Sequence, residues 1–518
     1  MASHVTKSRS KVASDDVSSE AELWKTNADC SISTIESFAT TTITRYLPLP
    51  YKTLFLCSSS MAKCMTGSYT ALVFLFCFLL THFHAVAILD PADFLALQSI
   101  RKSLEDLPGS DFFSSWDFTA DPCNFAGVYC DSDKVIALNL GDPKAGSPGL
   151  TGRLDPAIGK LSALAEFTVV PGRIYGRLPE SLADLKNLRF LGVNRNFISG
   201  EIPARLGELR SLRTFDLSYN QLSGRIPPTV GSLPELTNLI LCHNRLSGSV
   251  PRFKSKTLTR LDLKHNALSG SLPPNSLPPS LQYLSLSWNQ LTGPMDRLLG
   301  RLDQLNFLDL SLNKFTGPIP GRVFSFPLTN LQLERNQFSG LVQPVDQVSI
   351  STVDLSYNRL SGSISPMFSS VQNLYLNNNR FTGRVPASFV DRLLDASIQI
   401  LYLQHNYLTG IEISPTAVIP ERSSLCLQYN CMVPPVETPC PLRAGKEKSR
   451  PTAQCNQWKV TVFLALSAFR EHEILLPAIE DGCMDTDLGI SLFGCNPKPF
   501  SERVWRQGSI VEKATVNK

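Results

Sequence analysis

Thirteen cysteines are the residues of this 518-residue chain whose spacing speaks most directly of chemistry. Four lie early, at Cys30, Cys57, Cys64 and Cys77. Two sit together in "DPCNFAGVYC" (Cys123, Cys130), and four more cluster at Cys426, Cys431, Cys440 and Cys455. Cys242 stands alone between these last two groups and is expected to be an outward-facing, unpaired thiol. Paired cysteines at the two ends of a segment predict disulfides in an oxidising compartment, where a small cap with little core gains most from crosslinks. A zinc site would need CxxC spacing and histidine partners, which these cysteines lack.

Histidine is the other residue type with chemistry to offer. His243, His265 and His405 each stand immediately before an asparagine, in a position held elsewhere by Tyr219, Trp288, Tyr357 and Tyr429. A position tolerant of such variety belongs to a surface column, so these rings should meet ligand or solvent rather than act as acids and bases. The phosphate loop GxxxxGKS/T, HExxH and GxSxG do not occur, and neither an enzyme nor a cofactor is expected. Composition is ordinary, with 43% hydrophobic and 18% charged residues and a formal charge of +4. Those values exclude a wholly disordered chain and give no polyanion signal, so nucleic acid is not an expected partner.

What must position these residues is a phrase that recurs along most of the chain, as in "LRTFDLSYNQLSGRIP", "LTNLILCHNRLSGSVP" and "LNFLDLSLNKFTGPIP". It is anchored at Asn196, Asn220, Asn244, Asn266, Asn289, Asn313, Asn336, Asn358, Asn379, Asn406 and Asn430, at separations of 21 to 27 residues with 24 the commonest. Gly172 takes the asparagine slot in an earlier, diverged copy. "VIALNL" with "LTGRLDP" makes a first copy interrupted by a Gly/Pro insertion, giving about 12–13 coils. In LxxLxL the leucines alternate as in a strand, so they point inward and the residues between them outward. Stacked coils then pair these strands into one long parallel sheet. The asparagine amide can satisfy backbone groups that a sharp turn leaves unpaired, and the glycine two residues before "IP" or "LP" permits a second bend.

The outward positions of the sheet differ most between copies. Asp216, Asp262, Asp309 and Asp354 recur at mid-strand, Tyr375 and Tyr402 take that place later, and Arg195, Arg213, Arg260, Lys264 and Arg335 stand around them. The aspartates are expected to keep a wide sheet soluble. Aromatic side chains on a rigid platform give large contact area at low entropic cost. The candidate ligand-binding residues are therefore Tyr219, His243, His265, Tyr283, Trp288, Tyr357, Tyr375 and Tyr402.

The ends do not repeat. Residues 61–87 carry Lys63, an apolar run from Ala71 to Leu80 and Ala85-Val86-Ala87, the pattern of a secretory signal peptide whose apolar run is too short to span a bilayer. Residues 1–60 before it are expected to be a disordered extension or a gene-model artefact, with translation starting at Met61 or Met65. An N-terminal cap should cover 88–134, with a helix in "ILDPADFLALQSIRKSL": Asp90 caps it, Pro91 opens it, and Phe94, Leu97, Ile100 and Leu104 share one face. The solenoid should run over 135–430 and a cysteine-containing cap over 431–455. Residues 456–518 read as a non-repeat tail produced by read-through past the gene's end.

The "LSGxIP" continuation, the 24-residue period and "DPCNFAGVYC" together resemble the plant extracellular leucine-rich-repeat family, which includes receptor-kinase ectodomains and polygalacturonase inhibitors. The resemblance covers residues 88–455, about seventy percent of the chain. It implies an α/β repeat fold: a right-handed leucine-rich-repeat solenoid with a parallel β-sheet on the concave face and disulfide-linked end caps at Cys123, Cys130, Cys426, Cys431, Cys440 and Cys455. It implies a secreted recognition or scaffold protein of the apoplast or cell wall, without a transmembrane span after signal cleavage. Its partner would be a protein or peptide ligand, a co-receptor or a cell-wall polymer. An inhibitor of a wall-degrading enzyme and an ectodomain fragment of a receptor-like kinase are the alternatives. The inhibitor would carry a cationic concave cluster, whereas the charges here are mixed. The chain departs from the family pattern in having Phe125 where the cap usually has tryptophan, no N-x-S/T sequon and no kinase.

Overall fold

A computed structural model describes residues 89–144, 148–441 and 444–455. The expected extension, signal peptide and tail, at 1–60, 61–87 and 456–518, lie outside the described residues. The N-terminal helix spans Pro91–Ser103, with the Asp90 carboxylate accepting from the N–H groups of Ala92 and Asp93. Leu97 and Ile100 are buried along its length, and Leu104 is buried just beyond it. Asp93 is buried on the same face, where its Oδ2 accepts from the Val135 N–H at 2.9 Å and so ties the helix to the first coil. Below the helix, Phe112, Phe113, Trp116, Phe118 and Phe125 pack largely edge to face. Phe125 lies 5.4 Å from Trp116, whose indole N–H donates to Ala126 O. Cys123 and Cys130 are disulfide-bonded beside this cluster.

Fourteen strands then form one sheet, from Val128–Asp131 to Ser424–Cys426. The first pair is antiparallel and every later pair parallel. The register follows the phrase: Leu239 pairs with Phe215 on one side and Leu261 on the other. All three are fully buried. Sheets of five and eight short strands run along the next edge of the coils, and 3-10 turns such as Glu180–Asp184 and Ala204–Glu208 complete them. Each coil's leucines are covered by its neighbours, so one continuous core runs from Leu89 to Val436.

The asparagines do what their position predicted, and they do it between coils. The Asn220 Oδ1 accepts from the Ile198 N–H of the preceding coil, while its Nδ2 donates to Val193 O, Leu217 O and Ser218 O. Asn289 repeats the pattern with Leu268 N, Leu263 O, Leu286 O and Ser287 O, and so do the others through Asn406. Leaving such a buried donor unpaired costs about 1–3 kcal/mol, so the asparagines are conditions of stacking as well as turn formers.

At the far end Cys426 bonds Cys440 and Cys431 bonds Cys455. The Arg450 guanidinium lies over Tyr407 and Tyr429, and its Nε donates to Asn406 O. This cap therefore covers the last coil with a cation on two aromatic rings as well as with crosslinks.

Two expectations fail on the outward face of the sheet. Asp216, Asp262 and Asp309 are buried, so they are not solvating groups. Asp216 Oδ1 accepts from both the N–H and the Oγ of Ser218, and Asp309 does the same with Ser311. Neighbouring strands stand too close for a short side chain to reach water, and it bonds its own turn instead. Cys242 is likewise buried and disulfide-bonded, neither outward-facing in solvent nor unpaired.

Candidate functional site

The residue before each asparagine, from Arg195 to Tyr429, has a left-handed backbone. Eleven successive non-glycine residues, Arg195, Tyr219, His243, His265, Trp288, Leu312, Arg335, Tyr357, Asn378, His405 and Tyr429, have φ between +50° and +60°. Such a conformation costs on the order of 1 kcal/mol or more each. Backbone bonds to the following coil hold it: the N–H groups of Tyr219, His243, His265 and Trp288 donate to Cys242 O, Lys264 O, Ser287 O and Ser311 O at 2.9–3.1 Å. The shared backbone aims the side chains alike, one above the next.

The result is a ladder. The Arg195 guanidinium lies 4.5 Å over Tyr219, and Tyr219–His243, His243–His265 and His265–Trp288 stack at 4.1, 4.2 and 4.8 Å with their planes within 18° of parallel. Four of the eight expected residues thus form one unit, and Trp288 is its exposed end at 43%. Leu312 interrupts the column. Beyond it Tyr357 stands under Arg335 at 4.3 Å, and His405 meets Tyr429 while its Nε2–H donates to Ala444 O at 2.9 Å.

The other three expected residues sit elsewhere on the same face. Tyr283 belongs to a second column, between the Arg260 guanidinium at 4.3 Å and the Phe307 ring at 4.2 Å. Tyr375 and Tyr402 meet edge to face at 5.4 Å in a third. Sequence reasoning missed Phe307 and Glu334. Their places in the repeat register were readable, since Phe307 follows Tyr283 by one coil and Glu334 occupies the position of Ser311 and Ser356.

Electrostatically this face is poor in solvent. Burial, with the nearby charges of His265, Lys264 and Arg195, lowers the His243 pKa to about 3, and burial with Lys264 lowers that of His265 to about 4. Both rings are neutral near pH 7. Burial raises the Asp262 carboxyl to about 6 despite Lys264 and Arg260, and it pushes the Tyr283 phenol well above its ordinary value. Glu334 and Asp354 are both raised by burial, Glu334 further by its acidic neighbours. Several buried polar atoms here have no hydrogen-bond partner among the described residues: His243 Nε2, Arg260 Nε and Nη2, Ser285 Oγ, Glu334 Oε2, Gln404 Oε1 and Gln428 Oε1. Among the described residues no group of three His, Cys, Asp or Glu side chains is placed to hold a metal ion. Nor is any described helix long and apolar enough to cross a membrane.

Comparison with known proteins agrees with this architecture. The leucine rich repeat N-terminal domain matches residues 90–131, and the Leucine Rich Repeat family matches 211–233, 257–277, 280–302, 349–371 and 370–391. A probable inactive leucine-rich repeat receptor-like protein kinase of Arabidopsis thaliana is 35% identical over 108 residues, which are 20% of this chain and 15% of that protein. The receptor-like protein kinase PEPR1 of Arabidopsis thaliana is 36% identical over 107 residues, 20% of this chain and 9% of that one. The chain thus spans only a small part of the curated relatives it matches. Among solved structures, the leucine-rich-repeat ectodomain of the receptor kinase GASSHO1/SCHENGEN3 from Arabidopsis thaliana, in complex with CASPARIAN STRIP INTEGRITY FACTOR 2, is 27% identical. That match covers 66% of this chain and 47% of the other at a TM-score of 0.47.

Proposed function

From the premise that this chain is a leucine-rich-repeat protein with its N-terminal cap in place, we propose that the outward face of the long sheet recognises a peptide or an extended protein segment outside the cell. The protein would pass information through partners rather than by chemistry of its own. The observation that carries this reading is the ladder from Arg195 to Trp288. Rings stacked on one another spend their faces on one another and present their edges outward. An aromatic edge is the positive end of the ring quadrupole, and in Tyr, His and Trp it carries the polar N–H, N or O–H groups as well. Such a row complements backbone carbonyls and carboxylates. A sugar ring would stack on an open aromatic face, which the interior of this ladder does not offer, so a peptide is favoured over a wall polymer.

Mixed charge argues against the enzyme-inhibitor alternative: Asp216, Asp262, Asp309, Glu334 and Asp354 stand among Arg195, Arg260, Lys264 and Arg335. Disulfides in both caps support an oxidising, extracellular setting. Kinship with receptor-like kinases supports a role at the cell surface or in the apoplast.

The test is a displayed peptide library selected against the full chain. Peptides recovered should lose more than about tenfold affinity to Trp288→Ala, as central aromatic anchors commonly do. Arg322→Ala, in the 3-10 turn Gly321–Ser325, should leave binding unchanged. The opposite result would remove the sheet face from consideration.

A further inference from the structure

The asparagine rule fails at Gly172, and a cleft opens there. Gly172 keeps the backbone bond of the other coils, its N–H donating to Arg195 O at 3.2 Å, and lacks the amide. A side chain has no room at this point: a Cβ on Gly172 would lie 2.6 Å from Leu150 O, and one on Gly149, at φ +75°, 2.2 Å from Pro171 O. Gly149 and Leu150 thus lie in close backbone contact with Pro171 and Gly172 of the next coil. Beside that contact lies an open-sided cleft of about 610 Å³.

Its lining has a definite chemistry. Leu107, Pro108, Pro148, Pro171 and Phe197 are its apolar lining residues, and Arg173 and Arg195 its charged ones. Among the described residues no carboxylate lines it. Phe197 is 48% exposed, a large aromatic left open on the surface. Arg195 is held in place by its left-handed backbone and by its stack on Tyr219. Flat apolar walls beside two cations, with no anion to neutralise them, select a ligand with a planar apolar body and one negative end. A guanidinium pairs with a carboxylate through paired N–H donors, which a neutral ester cannot match.

We propose that this cleft, at the Arg195 end of the ladder, is a second binding site, for a small aromatic carboxylate whose ring packs on Phe197 and the prolines while its carboxylate meets Arg173 and Arg195.

Isothermal titration of the full chain with 4-hydroxycinnamate and with its methyl ester tests it. Saturable binding with a Kd below about 1 mM is expected, weakened at least about tenfold by Arg173→Ala, by Phe197→Ala and by esterification, each tenfold being about 1.4 kcal/mol. Trp288→Ala should bind like the unaltered protein. Arg173 and Phe197 are both exposed, so equal thermal midpoints are expected for these variants. Absence of saturable binding, equal binding of acid and ester, or binding lost in Trp288→Ala and kept in Arg173→Ala and Phe197→Ala would each overturn the proposal.

Discussion

The imidazole of His265 lies flat against the indole of Trp288, with ring centroids 4.8 Å apart and planes inclined by 15°. That distance is the separation of neighbouring strands, about 4.8 Å. Residues 23 apart in sequence therefore stack because the coils beneath them do. A double-mutant cycle of His265→Ala with Trp288→Ala should give a coupling energy of about 0.5–1.5 kcal/mol in thermal or denaturant unfolding. Additive losses would mean that the rings are only carried past each other by the backbone.

Asn289→Leu should be far more damaging than Gln290→Leu. The Asn289 amide accepts one backbone N–H and donates to three carbonyls across two coils, whereas Gln290 is exposed. Each buried group left unpaired costs about 1–3 kcal/mol, so the first variant should lose at least about 2 kcal/mol and the second less than about 0.5 kcal/mol. Equal losses in a urea titration would contradict the inter-coil role of the asparagine.

Acid should weaken the fold through the ladder. The folded-state pKa of His243 is lowered to about 3 from an ordinary 6.5, mainly by burial. Above pH 6.5 the ring is neutral in both states and contributes no pH dependence. Between 6.5 and 3 the unfolded chain takes up a proton that the folded chain refuses, so stability falls as pH falls. Two pH units at about 1.36 kcal/mol each would give about 2.7 kcal/mol at pH 4.5. A partly exposed ring is screened by solvent, so roughly 1 kcal/mol is expected. Denaturant midpoints at pH 7 and pH 4.5 should therefore converge in His243→Phe relative to the unaltered protein. An unchanged difference would show that the ring ionises freely.

A fragment of residues 88–455 should fold by itself with a cooperative thermal transition. The described core runs from Leu89 to Val436 and is closed by a disulfide-linked cap at each end. In a solenoid each coil is stabilised by its neighbours, so only loss of a cap exposes an apolar face. A fragment without a cooperative transition would move the boundary.

Much of this was legible from local pattern alone. The inward leucines, the asparagine anchors, the capped helix after Asp90 and the cysteines at both ends each depend on spacing within one coil or one cap. Spacing of that kind is what a sequence displays. Even the candidate rings were findable, because a surface column in a repeat is a fixed offset from its asparagine.

What the sequence by itself determined, then, was the coil: which residues face in, which turn the chain, and where the array is closed. Tertiary stacking decided what the outward residues became. Asp216 and Asp309 are ordinary solvating residues on a lone strand, yet neighbouring coils bury them against their own turns. Tyr219, His243, His265 and Trp288 are separate residues in the chain, and they form one ladder because every left-handed backbone beneath them is held by the next coil. The cleft at Phe197 lies where Pro171 approaches Gly149, a residue 22 positions earlier that only the stacking of coils brings beside it. Burial and stacking are properties of neighbours brought together by folding, and the repeat spells out one coil at a time.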